Sequence, residues 1–224
     1  MRGSPYGVNA RPKPSPVRLP LKKRRALSIC EFFSAKLGRE VILPARCYWL
    51  GLWLDWCREA TAYVELPANP DEPSEWVADF WIDYAGKEYL IDVAQEARAD
   101  TAASSTPWDL LVDGFESVEP GRGRITPRWT WARRSLLLAL EQAHPYAVSA
   151  RLQGGLKITC KKLLSEWPDS GQTIGDVCDL PGANSYVSQC AILHMVRSGN
   201  LELDWSRGLS LNTLLRKTLN APQG

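Results

Sequence analysis

The chain has 224 residues, of which 45% are apolar and 23% charged, and a formal net charge of +2. That composition suits a folded protein and excludes collagen, coiled coil and wholesale disorder. The longest apolar run, residues 47–54, falls well short of the ~20 residues that a bilayer-spanning helix needs.

The small net charge conceals an asymmetry. Residues 1–25 carry eight bases (Arg2, Arg11, Lys13, Arg18, Lys22, Lys23, Arg24 and Arg25), no acid and five of the sixteen prolines. Beyond them nineteen bases face twenty-five acids, so the rest of the chain sums to −6. A basic, proline-rich arm with so little apolar surface does not fold by itself. It also lacks the apolar stretch of a secretory leader, so a cytoplasmic protein is expected. Its charge suits phosphate neutralisation, and a solubilising tail is the plainer reading. The six cysteines (30, 47, 57, 160, 178 and 190) form no CxxC pair and no short regular spacing, which argues against a zinc site or a disulfide framework. With only His144 and His194 in the chain, histidine-based metal chemistry and a Ser-His-Asp triad have little to draw on.

Residues 29–68 read as compact α structure, with 47–57 a helix apolar on nearly every side and therefore buried. Pro67, Pro70 and Pro73 mark a loop. Two strand-like runs follow, 76–84 and 88–95, joined by Ala85, Gly86 and Lys87. Residues 99–107 are irregular. Arg122, Arg124 and Arg128 precede a helical pattern over 129–143. Pro145 and the Gln153-Gly154-Gly155 turn suggest a domain boundary near residue 150. Beyond it, 156–167 read as an amphipathic helix, Thr173 opens a short helix, and Ser185 caps a longer one that Gly199 closes. Leu201 and Leu203, then Leu209 and Leu211, alternate on either side of Ser206-Arg207-Gly208, as in a hairpin. Three helices and a terminal hairpin make a winged helix. Its second helix would present Asn184, Ser188, Gln189 and Arg197 to a DNA groove, or else the module docks a partner protein.

The strand pair carries the chemical question. A two-residue turn at Ala85-Gly86 would set Asp79 opposite Asp92, with their Cβ atoms ~5 Å apart. Two such carboxylates repel unless a cation or proton lies between them. The pair is thus a candidate site for Mg²⁺ or Mn²⁺, or simply the solvated face of a hairpin.

In order along the chain, Lys23-Arg24-Arg25, Ser34-Ala35-Lys36-Leu37-Gly38-Arg39-Glu40-Val41, Glu65-Leu66-Pro67, Val77-Ala78-Asp79-Phe80 and Leu90-Ile91-Asp92-Val93-Ala94 form a series of short phrases. Thr173-Ile174-Gly175-Asp176 and Gly199-Asn200-Leu201-Glu202-Leu203-Asp204 continue it. The series resembles the TnsA family, the endonuclease subunit of heteromeric transposases, over roughly residues 22–215. The resemblance implies an α/β fold: a restriction-endonuclease-like mixed sheet flanked by helices over 26–150, then a small winged-helix domain over 151–224, with residues 1–25 as the arm. It implies Asp79 and Asp92 as residual catalytic residues and ligands of Mg²⁺ or Mn²⁺. It implies DNA contacts from Lys22, Lys23, Arg24, Arg25, Lys36 and Arg39. Two departures stand out. Pro44-Ala45-Arg46-Cys47-Tyr48 holds no acid where the family carries its catalytic glutamate, and Ala94 stands in place of the lysine. Asp55, Lys87 and Lys36 are the candidate substitutes. The expectation is a subunit that binds transposon ends beside a DDE-type transposase and an ATP-dependent regulator, with a degenerate nuclease centre. An active nuclease with relocated residues, and a winged-helix regulator or scaffold, are the alternatives.

Overall fold

Residues 29–44, expected as part of an α segment, pair as an antiparallel hairpin of β1 (Ile29–Ser34) and β2 (Arg39–Pro44). Val41 and Leu43 alternate into the core along β2. Such short apolar runs carry no period that separates strand from helix. The computed structural model describes residues 13–17, 28–95, 98–167, 172–179 and 184–218. Lys22, Lys23, Arg24 and Arg25 lie outside the described residues.

A 3-10 turn, Ala45–Cys47, leads into α1 (Tyr48–Trp56), which is buried on nearly every side as its composition predicts. The chain then builds a five-stranded mixed sheet from β3 (Ala60–Glu65), β4 (Phe80–Tyr84), β5 (Lys87–Val93), β6 (Phe115–Glu119) and β7 (Arg122–Ile125). The strand order is β3-β4-β5-β7-β6, with β5 and β7 parallel and the other neighbours antiparallel. Strand β4 begins at Phe80 rather than at residue 76, because Trp76 is already engaged in an isolated bridge to Ala68. The β4–β5 turn has two residues, Ala85 at φ 49 and Gly86 at φ 76, the left-handed pair of a type I′ hairpin.

One face of the sheet joins the main core. There Tyr63, Phe80, Ile82, Ile91 and Ile125 pack in one cluster with Trp53 of α1 and with Trp129 and Leu137 of the helices α2 (Pro127–Ala132) and α3 (Arg134–Leu152). Trp53 stacks on Trp108 at 6.1 Å and meets Trp129 edge-on at 5.4 Å. Arg133, buried at the elbow between α2 and α3, lies over the Trp129 ring and donates to the carbonyls of Pro107, Asp109 and Val112. The otherwise irregular segment before β6 is thereby fixed to the core. Helix α3 continues through Pro145 and ends at Leu152, before the Gln153-Gly154-Gly155 turn.

The C-terminal part holds α4 (Leu156–Ser165), α5 (Ile174–Cys178) and α6 (Ser185–Ser198), with a small antiparallel sheet of β8 (Gln172–Thr173), β9 (Leu201–Leu203) and β10 (Leu214–Lys217) in the order β8-β10-β9. Thr173 and Asp176 form a reciprocal capping box on α5. The cap of α6 is Asn184, not Ser185, since the Asn184 side chain accepts from Tyr186 and Val187. The expected second hairpin strand at 209–211 is also displaced. Asp204 accepts from Ser206, a 3-10 turn fills residues 205–207, and the returning strand is β10. Helix α6 packs against α3, α4 and α5, so the core continues without interruption from Leu43 to Leu215.

Asp55, at the end of α1, is fully buried and joins three elements. It accepts from the Ser34 hydroxyl and from the backbone N–H groups of Ala35 (3.1 Å) and Lys36 (2.9 Å) in the β1–β2 turn. His144 of α3 places Nδ1 3.9 Å from it, while Nε2 donates to the Phe33 carbonyl at 2.9 Å. The Lys36 ammonium donates to the carbonyls of Leu54, Cys57 and Ala60, closing the C-terminal end of α1. Burial brings Lys36 down to about 8, so it is still charged at neutral pH and its three N–H donors each meet a carbonyl.

Ala85 sits in the left-handed region, which costs an alanine about 1 kcal/mol and an asparagine less. Ala85→Asn should therefore raise the unfolding free energy by about 0.5–1 kcal/mol in urea denaturation. Burial holds the His144 imidazole below its ordinary value, opposed by Asp55 and the Phe33 carbonyl and assisted by Arg197. The unfolded chain therefore takes up the proton first as the pH falls past about 6.5. Stability should be full well above that value and decline as the pH falls through and below it. His144→Gln, which keeps a donor for Phe33, should flatten that decline.

Candidate functional site

The hairpin register brings the two aspartates together. Phe80 pairs with Ile91, so Asp79, one residue before β4, stands opposite Asp92 near the end of β5, on the same sheet face as Trp81 and Leu90. Parallel pairing of β5 with β7 sets Arg122 beside Leu90 and Arg124 beside Asp92 on that face. The two aspartates, Arg46, Arg124, Trp76, Ala94 and Gln95 line an open cleft of about 920 Å³.

Asp79 is only 4% exposed. One carboxylate oxygen accepts from the Val93 backbone N–H at 2.8 Å, and the other from Arg46 Nη2 at 2.6 Å. Arg46 Nε donates at 3.1 Å to the Val93 carbonyl. A single guanidinium thus takes two oxygens that converge from the start of β4 and the end of β5. Burial pushes the Asp79 carboxyl up from the ordinary carboxylate value, and the Val93 N–H and Arg46 pull it back. Asp92 has its own partner. Arg122 donates to its Oδ2 from Nε (3.2 Å) and Nη2 (3.0 Å), and to the Val77 carbonyl at 3.2 Å.

These donors do not fit a divalent ion. Mg²⁺ needs near-octahedral oxygen ligands, and Ca²⁺ needs more of them. Here Asp79 Oδ1 and the Val93 carbonyl are engaged by Arg46, Asp79 Oδ2 by an N–H, and Asp92 Oδ2 by Arg122. Among the described residues no group of three or more His, Cys, Asp and Glu is placed to hold a metal. Ala94 brings no ammonium to the cleft.

The candidate substitutes lie elsewhere. Asp55 is spent on the β1–β2 turn and Lys36 on the end of α1. Lys87 begins β5, five residues from Asp92, or about 16 Å along a strand. The expected DNA contacts are also redistributed. Arg39 forms a two-pronged ion pair with Glu65. Ser188 is 1% exposed, Gln189 donates to Ser185, and Arg197 is half-buried and electrostatically coupled to Asp55. Helix α6 packs against α3, α4 and α5, while Asn184, Ser185 and Tyr186 at its N-terminal end are exposed.

Sequence reasoning missed Arg46 and Arg122. Arg46 stood in the segment noted only for lacking an acid, and a base at that position was itself the signal. Arg122 had no local signal, because its neighbour Asp92 is thirty residues away and reaches it only through a parallel pairing.

Removing Arg46 leaves a buried carboxylate with one donor. Arg46→Met should destabilise the fold by about 2 kcal/mol, a buried-pair cost discounted for the one-third exposure of Arg46. Adding Asp79→Asn should recover more than half of that loss in a double-mutant cycle. Millimolar Mn²⁺ should leave the melting temperature of the native chain unchanged and raise that of Arg46→Ser, where both oxygens are released.

The chain matches no protein-family model and no curated protein sequence.

Proposed function

We propose that this chain is a TnsA-like subunit of a heteromeric transposition machinery that binds transposon-end DNA and no longer cuts it. The single observation that carries the reading is the Arg46 guanidinium, bound to both Asp79 and the Val93 carbonyl in the position where a nuclease of this type needs a metal ion. An arginine neutralises the carboxylate as a metal would. It offers no open coordination position, though, and cannot generate hydroxide from water near neutral pH. Arg122 on Asp92 and alanine at position 94 act in the same direction.

The five-stranded mixed sheet flanked by helices supports a restriction-endonuclease-like core, and the antiparallel β4–β5 pair with opposed aspartates supports it further. Three helices with a three-stranded antiparallel sheet support a winged-helix module. Because one side of α6 is taken up by packing against α3, α4 and α5, that module serves as a protein-docking unit, and DNA is held by the basic arm with Arg124 and Arg128 at the sheet end. In such a machinery the DDE-type partner cuts its own strand and the second strand stays joined, favouring cointegrate products over cut-and-paste.

Two measurements test the reading. The full chain should bind a transposon-end duplex with an affinity that falls about tenfold or more between 50 and 200 mM salt, as a few phosphate contacts require. Supercoiled plasmid should survive incubation with Mg²⁺ or Mn²⁺ and the partner's cleavage-dead form. Robust nicking that Asp79→Ala abolishes would overturn the loss of cleavage, and salt-insensitive or absent DNA binding would overturn the DNA role.

A further inference from the structure

A second pocket differs in character from the arginine-held cleft. It has a volume of about 330 Å³ and is lined by Trp49 of α1, Arg98, Thr130 and Trp131 of α2, and Arg134 and Leu137 of α3. Among its described lining residues there is no carboxylate. Both tryptophans are only half-buried, and Arg134 is exposed. The Arg134 guanidinium lies 4.7 Å over the Trp131 ring. Trp49, which also lines the pocket, meets Tyr48 edge-on at 5.1 Å.

Indole faces and guanidinium planes are flat, polarisable and, in sum, positive. Their chemical complement is a flat π-system carrying a negative charge, which is a nucleobase with its phosphate. A concave pocket cannot reach a base stacked inside a duplex, so the base must be unpaired. Trp49 follows Arg46 of the cleft by three residues.

We infer that the Trp49–Trp131 pocket, with Arg98 and Arg134, captures an unpaired base of a DNA strand end by stacking. The inference rests on the DNA-binding reading above and adds a ligand class to it: a single-stranded extension rather than a blunt duplex. The two aromatic walls supply affinity with little regard to base identity, and the arginines supply the phosphate contact.

The experiment uses the full chain and three fluorescein-labelled probes: a blunt 30-base-pair duplex, the same duplex with a three-nucleotide 3′ extension, and that extension made of abasic residues. The expected result is about tenfold tighter binding of the extended duplex than of the other two. Trp131→Ala should remove that preference while leaving blunt-duplex affinity unchanged, and Trp131→Phe should retain most of it. Equal affinity for normal and abasic extensions would overturn the inference while leaving duplex binding standing. So would a Trp131→Ala loss shared equally by all three probes with native circular dichroism. Failure to bind any probe in a salt-dependent manner would overturn the DNA reading as well, so the two failures are distinct.

Discussion

Asp79 is a carboxylate taken out of water at the point where three segments meet. Leaving it without a cation would cost several kilocalories per mole, so the fold must place positive charge against it. Arg46 supplies that charge from the turn before α1 and fastens the same guanidinium to the backbone carbonyl at the end of β5. The start of α1, the entrance to β4 and the exit of β5 are therefore set by one group. The identity of the cation then decides what the cleft can do. A metal ion would bring open positions and acidified water, whereas a guanidinium brings fixed geometry and a permanent charge.

The C-terminal part shifts where contacts are made. Helix α6 is surrounded by α3, α4 and α5, and its N-terminal Tyr186 hydroxyl bonds Ser149 of α3 at 2.7 Å. Long α3 does the connecting: His144 and Arg151 reach the β1–β2 turn, and Tyr146 meets Tyr186 of α6. The large sheet and the small one are thus linked by one helix that carries a proline in its interior.

Local chemistry was legible in the sequence where it was self-contained. The apolar 47–57 stretch gave a buried helix, Thr173 and Gly199 acted as caps, and the two-residue turn at Ala85-Gly86 met the condition under which Asp79 stands opposite Asp92. Features set by distant partners were not legible. Residues 29–44 form a hairpin because Val41 and Leu43 pack beneath α1. Asp55 and Lys36 were legible as charges but not as buried ones, since their partners are backbone groups about twenty residues away in the sequence. Ser188 is buried, and the half-buried Arg197 feels Asp55 and Arg151 from earlier in the chain.

Because Arg46 is covalently attached, the charge that organises the cleft cannot be stripped by a chelator or exchanged for another metal. Its occupancy does not vary with the free magnesium of the cell. The ordered state of the Asp79 pocket is therefore built in at synthesis and needs no inorganic ion to complete it.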